Sequence, residues 1–263
     1  MKKSNFLILL AFIFFTGFVK AQFKPGDVGF NPAEFDIYKK AKVKTQTQLL
    51  IDTTWGYTET AASIAEYTTD GWLLRITYTE NLEYEDTIID EYTYFPDGRI
   101  RIISLFGYDL YPIEFGYEYD KKNKLIASNI AAAEARRYTY EYDKSENIIK
   151  RLGKTNMFQY DDEGNLMEGM IWVDNEESTY TWNDKQQLLS ELFYMQGEFY
   201  YKIIYEYDAN GSLNNYKVFY DAEQTAMPAY AGYFYYNEKN LLIKMIMEEE
   251  GSRLEYKYVY SFY

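Results

Sequence analysis

Eight times between Ala65 and Leu242 the chain repeats one phrase: two aromatic residues two positions apart, with Ala65 in place of the first in the opening copy, then usually Asp or Asn, a short turn, and an aliphatic residue. The clearest copies are Tyr117-Glu-Tyr119-Asp120 with Leu125, Tyr140-Glu-Tyr142-Asp143 with Ile148, Phe158-Gln-Tyr160-Asp161 with Leu166, and Tyr205-Glu-Tyr207-Asp208 with Leu213. Looser copies centre on Thr68, Phe95, Asn183 and Asn237, so one unit recurs roughly every two dozen residues, the length of a supersecondary repeat. Alternating aromatics place large β-formers on one face of a strand. The Asp then bonds amides two residues on, and Gly164 or Gly211 supplies the positive φ that closes a short hairpin loop. Asn123 and Asn240 tolerate that conformation; Glu146 and Gln186 must be strained there or use another loop.

Pairing Asp161 with Asn165 across the loop sets Tyr160 opposite Leu166. The same register sets Tyr67 against Leu73, Tyr94 against Ile100, Tyr119 against Leu125, Tyr142 against Ile148, Trp182 against Leu188, Tyr207 against Leu213 and Tyr236 against Leu242. Each such pair contributes roughly 0.2–1 kcal/mol and together they fix register. On the other face, Glu118, Glu141, Gln159 and Thr181 are expected beside Ile126, Ile149, Met167 and Leu189. About eight hairpins make sixteen or more strands. Accumulated twist curls such an antiparallel meander into a closed or nearly closed barrel, which also removes aggregating edges. The fold class is therefore all-β, with Tyr119, Tyr142, Tyr160 and Tyr207 facing the core or lumen.

Residues 1–21 read as a secretory signal: Lys2 and Lys3, an apolar run from Phe6 to Phe15, and small residues before Gln22. The protein is expected to be exported, periplasmic or extracellular. Residues 22–42, with Pro25-Gly26, Gly29 and Asn31-Pro32, suit an extended N-terminal arm. Residues 43–263 form a single β domain, its first strand starting near Val43. The chain has no Cys, hence neither disulfides nor the acylated cysteine of a lipid anchor. Its net charge of −14 falls further once Lys2, Lys3 and Lys20 are removed, which excludes nucleic acid as a natural partner.

Without His or Cys, Ser-His-Asp and Cys-His catalysis and the usual zinc sites are excluded. No phosphate-binding Gly-rich loop occurs. Adjacent acids such as Asp161-Asp162 and Glu176-Glu177 suit turns better than catalysis. Turn aspartates lining one rim would suit calcium in ligand type, but each has a loop to cap. No catalytic, cofactor or metal residue is assigned. Tyr108, Tyr111, Tyr230 and Tyr233, off the repeat frame and near Gly or Pro, are the candidate binding residues for a glycan or protein ligand.

The phrase Tyr-x-Tyr-Asp-x-x-Gly-x-Leu at Phe158–Leu166 and Tyr205–Leu213 resembles the YD repeat of the RHS family. Long arrays of that repeat build hollow β-shells, commonly around a toxic C-terminal segment. The resemblance covers about two thirds of the chain and implies the shell-like sheet; the array is short for the family, and no toxin function is carried over. Size, export signal and degenerate repeats also resemble small secreted bacterial proteins of unknown function with a porin-like fold, many of them lipoproteins. That resemblance implies a barrel and no activity. The reading is a non-catalytic exported scaffold or binding module. The alternatives are an integral outer-membrane barrel and a glycoside hydrolase using carboxylates alone. Against the outer-membrane barrel, Glu recurs on the non-Tyr face, and the last strand puts Tyr256, Tyr258, Tyr260 and Phe262 out of phase with Tyr263.

Overall fold

The computed structural model describes residues 32–52, 58–79, 88–107, 112–131, 135–160, 166–221, 223, 227–249 and 252–263. Sixteen antiparallel strands follow one another around a closed barrel, and β16 (Ser252–Phe262) pairs with β1 (Val43–Asp52) to seal it. All eight aromatic–aliphatic pairs stand in the expected register, from Tyr67↔Leu73 to Tyr236↔Leu242. Strand numbering runs β2 (Thr58–Tyr67), β3 (Leu73–Tyr78), β4 (Ile88–Tyr94), β5 (Ile100–Phe106), β6 (Ile113–Tyr119), β7 (Leu125–Ala131), β8 (Arg136–Tyr142) and β9 (Ile148–Tyr160). It continues with β10 (Leu166–Trp182), β11 (Leu188–Met195), β12 (Glu198–Tyr207), β13 (Leu213–Phe219), β14 (Tyr230–Tyr236) and β15 (Leu242–Glu249).

The loops after β2, β4, β6, β8, β10, β12 and β14 gather at one end, the turn rim. Asp120 Oδ1 accepts from the amides of Lys122 and Lys124 at 2.7 and 2.9 Å. Asp143, Asn183, Asp208 and Asn237 accept from their own second and fourth following amides in the same way. The fourth loop residue has positive φ, whether it is Gly71, Gly98 and Gly211 or Asn123, Glu146, Gln186 and Asn240. Glu146 and Gln186 thus keep the common loop and bear its strain.

A second hydrogen bond links successive hairpins. The ring donor of each of Tyr94, Trp182, Tyr236 and Tyr260 reaches the carbonyl of Leu73, Ile148, Leu213 and Leu242 on the preceding strand, at 2.6, 2.8, 3.0 and 2.7 Å. Tyr142 bonds Leu125 likewise. Buried ring donors need such a partner, so each of these five aromatics both fills the interior and ties two neighbouring strands together.

Three expectations are corrected. First, a β-bulge follows each pair at the turn rim: Glu118 faces Ala127 rather than Ile126, Glu141 faces Lys150 rather than Ile149, and Thr181 faces Ser190 rather than Leu189. The bulged residues Leu74, Ile126, Ile149, Leu189 and Ile243 are exposed, because a bulge puts two successive side chains on one side of the sheet. Second, the copy at Phe158–Leu166 is not equivalent to the others. It joins β9 to β10 at the far rim, with its loop, Asp161 to Asn165, outside the described residues. Third, the end of the supposed extended arm is an α-helix, α1 (Pro32–Ala41). Pro at the first helical position lacks only an N–H that the helix does not use, and fixes φ for it. Tyr38 of α1 is buried against Tyr67, ring centroids 4.5 Å apart, and Lys39 pairs with Asp70, so the helix covers part of the turn rim.

The Tyr face is the inner face. Tyr67, Tyr92, Tyr117, Tyr138, Tyr180, Tyr201 and Tyr205 are buried there with Ile76, Ile103, Ile203, Phe234 and Met245, and Tyr119, Tyr142, Tyr207, Tyr256, Tyr258 and Tyr260 pack against the same cluster. Tyr160, the fourth repeat tyrosine expected there, is described by its strand register alone. Sixteen-stranded porins leave an aqueous channel; at these positions packed rings occupy the interior. The outer face carries ion pairs around the wall, including Arg75–Glu91, Glu118–Arg137, Lys150–Glu177, Lys154–Asp174, Lys217–Glu206 and Lys257–Glu59, all within 3.1 Å.

Candidate functional site

The inner face changes character across β8–β14 toward the far rim. On β8–β11 it holds charge. Glu176 accepts from Arg136 Nη1 at 3.1 Å and from the Tyr138 hydroxyl at 3.0 Å. Arg151 donates to Ser178 Oγ at 3.0 Å, lies over the Tyr138 ring with its centroid 5.0 Å away, and reaches Glu191 at 4.0 Å. Burial pushes the Glu191 carboxyl upward, opposed by Arg151, Ser178 and Tyr180. Burial alone would lower Arg151, but the surrounding Tyr180, Glu191, Tyr138 and Tyr201 outweigh it and hold the guanidinium well above its ordinary value. The Tyr180 hydroxyl is raised by burial. Nearer the rim, Asn175 donates to Thr155 at 2.6 Å, while its own Oδ1 is buried and accepts no hydrogen bond among the described residues.

On β11–β14 the surface is aromatic. Phe193 stacks on Tyr201 with centroids 4.9 Å apart and meets Tyr200 edge-on at 5.9 Å. Tyr200 then meets Tyr220 at 6.5 Å, and Tyr220 meets Tyr230 at 6.3 Å, both edge-on. Edge-to-face contacts are the favoured aromatic geometry. The chain of rings runs from the core to solvent, with Tyr220 45% exposed. Burial and the neighbouring Glu249 carboxylate raise the Tyr230 hydroxyl. The far rim therefore offers ring faces on one side and hydrogen-bonding groups on the other, an amphipathic lining suited to a ligand with apolar faces and polar edges.

Of the sequence-nominated tyrosines, Tyr230 joins this arc. Tyr233, three residues on, has the opposite facing and lies beside Asn215 and Ile246; strand alternation separates the two. Tyr108 and Tyr111 lie outside the described residues. Arg151 and Glu191 were missed because simple alternation from Ile148 and Leu188 sends both outward; the bulge turns them in. Glu176 and Glu177, expected to suit a turn, lie instead within β10, with Glu176 in phase with the inward Tyr180 and Trp182. Among the described residues no three acidic side chains group to hold a metal.

A separate inward carboxylate, Asp90 on β4, accepts from Tyr78 at 2.8 Å, and its Oδ1 is buried without a hydrogen bond. Burial raises it from 3.8 to about 7, partly offset by Tyr78.

Comparison with known proteins places the fold alone. A porin-like protein from Bacteroides uniformis ATCC 8492 is 8% identical with a TM-score of 0.50, over 83% of this chain and 98% of that one. A porin-like protein from Bacteroides vulgatus ATCC 8482 is 13% identical with a TM-score of 0.41, over 84% of this chain and 98% of that one. A TcdB2-TccC3 structure is 16% identical with a TM-score of 0.33, over 83% of this chain and 14% of that one. No family model and no curated protein matches the sequence. The chain is an antiparallel sixteen-stranded barrel of porin-like fold.

Proposed function

We propose that this protein is an exported, non-catalytic barrel of the cell envelope that binds a ligand at its far rim, with a glycan as the class best suited to the lining. The observation that carries the reading is the arc Tyr200–Tyr220–Tyr230 beside the polar wall of Arg136, Asn175 and Glu176. Rigid amphipathic rings offer stacking area at low entropic cost.

The water-facing reading of the wall rests on its charge. An integral outer-membrane barrel would set charged residues against lipid at roughly 2–4 kcal/mol each near the midplane, and outer ion pairs occur on β3, β4, β6, β8–β10, β12 and β13. Fractionation of a diderm host expressing the precursor tests this: processed protein in the soluble periplasm or medium is expected, and heat-modifiable, detergent-dependent recovery in outer membranes would overturn it. Calorimetric titration against a broad panel of soluble polysaccharides tests the ligand. Binding weakened tenfold or more by Tyr220→Ala is expected, and flat titrations throughout would remove the glycan assignment.

A further inference from the structure

One hairpin breaks the pattern of the barrel. β9 and β10 are 13 and 17 residues long, whereas their neighbours β8 and β11 have 7 and 8. β8 last pairs with β9 at Arg136↔Thr155, and β11 with β10 at Met195↔Glu176. Two more backbone bonds, Asn156 to Ala135 at 2.9 Å and Gln196 to Asn175 at 2.8 Å, end the shared edges. Beyond them β9 and β10 pair only with each other, through Asn156↔Trp172, Met157↔Ile171, Phe158↔Met170 and Tyr160↔Leu166. A two-stranded ribbon on the order of 20 Å long thus stands out from the far rim. Among the described residues no third strand runs beside it.

A lone two-stranded ribbon is marginal in water, and stability requires three or more strands. Natural exposed edges are usually blunted by Lys, Pro or charge. The two strands have little of these devices: 156–160 reads Asn-Met-Phe-Gln-Tyr, and 166–173 reads Leu-Met-Glu-Gly-Met-Ile-Trp-Val, with Glu168 their single charge and no Pro, the acids Asp161, Asp162 and Glu163 being confined to the residues that join them. The rest of the wall is laced with ion pairs and the whole chain carries −14, so this is where two copies can approach with least repulsion. An antiparallel strand edge is self-complementary about a two-fold axis. Two such ribbons side by side make a four-stranded sheet.

We infer that the overhanging β9–β10 ribbon is a self-association edge, along which two copies of this chain pair strand to strand outside their barrels. The inference is independent of the ligand assignment. The test is sedimentation velocity and light scattering of the mature chain across a wide concentration range. Beside it runs a variant in which an Asn-Gly turn links Asn156 directly to Trp172, and the substitution Ile171→Pro. A dimer for the parent and monomers for both variants, with far-ultraviolet dichroism and melting of the barrel retained, is the expected result. A peptide of residues 166–173 that splits the parent dimer gives a readout independent of variant folding, and failure to split it counts against the edge. A parent that stays monomeric throughout, a shortened variant that still dimerises, or a monomeric parent that partitions into phosphatidylcholine vesicles through the ribbon would each overturn the inference.

Discussion

The Tyr138 ring lies over the bare Cα of Gly153, its cross-strand partner on β9: a Cβ there would stand 2.8 Å from Tyr138 Cε1 and 2.9 Å from Glu176 Cβ. A methyl at Gly153 must displace both the ring and the carboxylate that the ring holds. Gly153→Ala is expected to cost about 1–3 kcal/mol, as overpacking does. Gly232 on β14, under Tyr216, should respond alike, whereas Gly116, with open space at its Cβ position, should tolerate Ala. Urea midpoints for the three variants check the ordering.

Arg151 and Glu191 hold each other's charge inside the barrel. Arg151→Met leaves Glu191 buried without its cation, and a loss of about 3–5 kcal/mol is expected, the usual result of removing one member of a buried pair. Replacing both by Met should recover much of that loss. A double-mutant cycle in urea decides it; a loss in the double variant equal to the sum of the two single losses would mean that the pair is not coupled.

Glu146 and Gln186 occupy loop positions with φ of 66° and 58°, where glycine fits without strain. Glu146→Gly and Gln186→Gly are each expected to stabilise by about 1 kcal/mol. Gly211→Ala, the reverse change at the equivalent position with φ of 83°, should destabilise by a similar amount. Thermal melts of all three give the comparison; stabilisation by Gly211→Ala would contradict the loop assignment.

Asp90 makes stability depend on pH in a definite direction. Its carboxyl titrates at 3.8 when unperturbed and at about 7 in the fold, so between those values the folded state binds the extra proton. Stability should therefore fall as pH rises from about 4 to about 7 and stay lowered above that. The ceiling of the effect is about 4 kcal/mol, three pKa units at 1.36 each. Asp90→Asn should match the parent at the acidic end and exceed it at mildly alkaline pH. Parallel lines for the two proteins across that window would show that Asp90 is not the titrating group.

The repeat made the register legible because an aromatic facing an aliphatic across a capped loop has only one consistent pairing, and Tyr67↔Leu73 and Tyr236↔Leu242 obey it at opposite ends of the array. Alternation could not reveal the bulge. Leu74 and Ile126 are as apolar as Leu73 and Leu125, and only the three-dimensional loop turns them outward. The same blind spot hid Arg151 and Glu191, the charged pair inside the barrel. Phe158–Leu166 misled differently. Its phrase matches the others, but the strand lengths on either side, not the phrase, decide which end of the barrel a loop reaches. In α1, Asn31-Pro32 suited a turn and a helix start equally, and the docking of Tyr38 on Tyr67 decided between them.

The seam between β1 and β16 has a consequence in time. Thr45 meets Ser261 and Gln46 meets Tyr260, so the first strand stays an open edge until the last has been laid down beside it. Contacts this distant along the chain close slowly. Until they do, the half-built wall has two bare edges and a sticky aromatic inner surface, and its safest route to the native state is to stay bound to something else, or unfolded, until the final strand arrives.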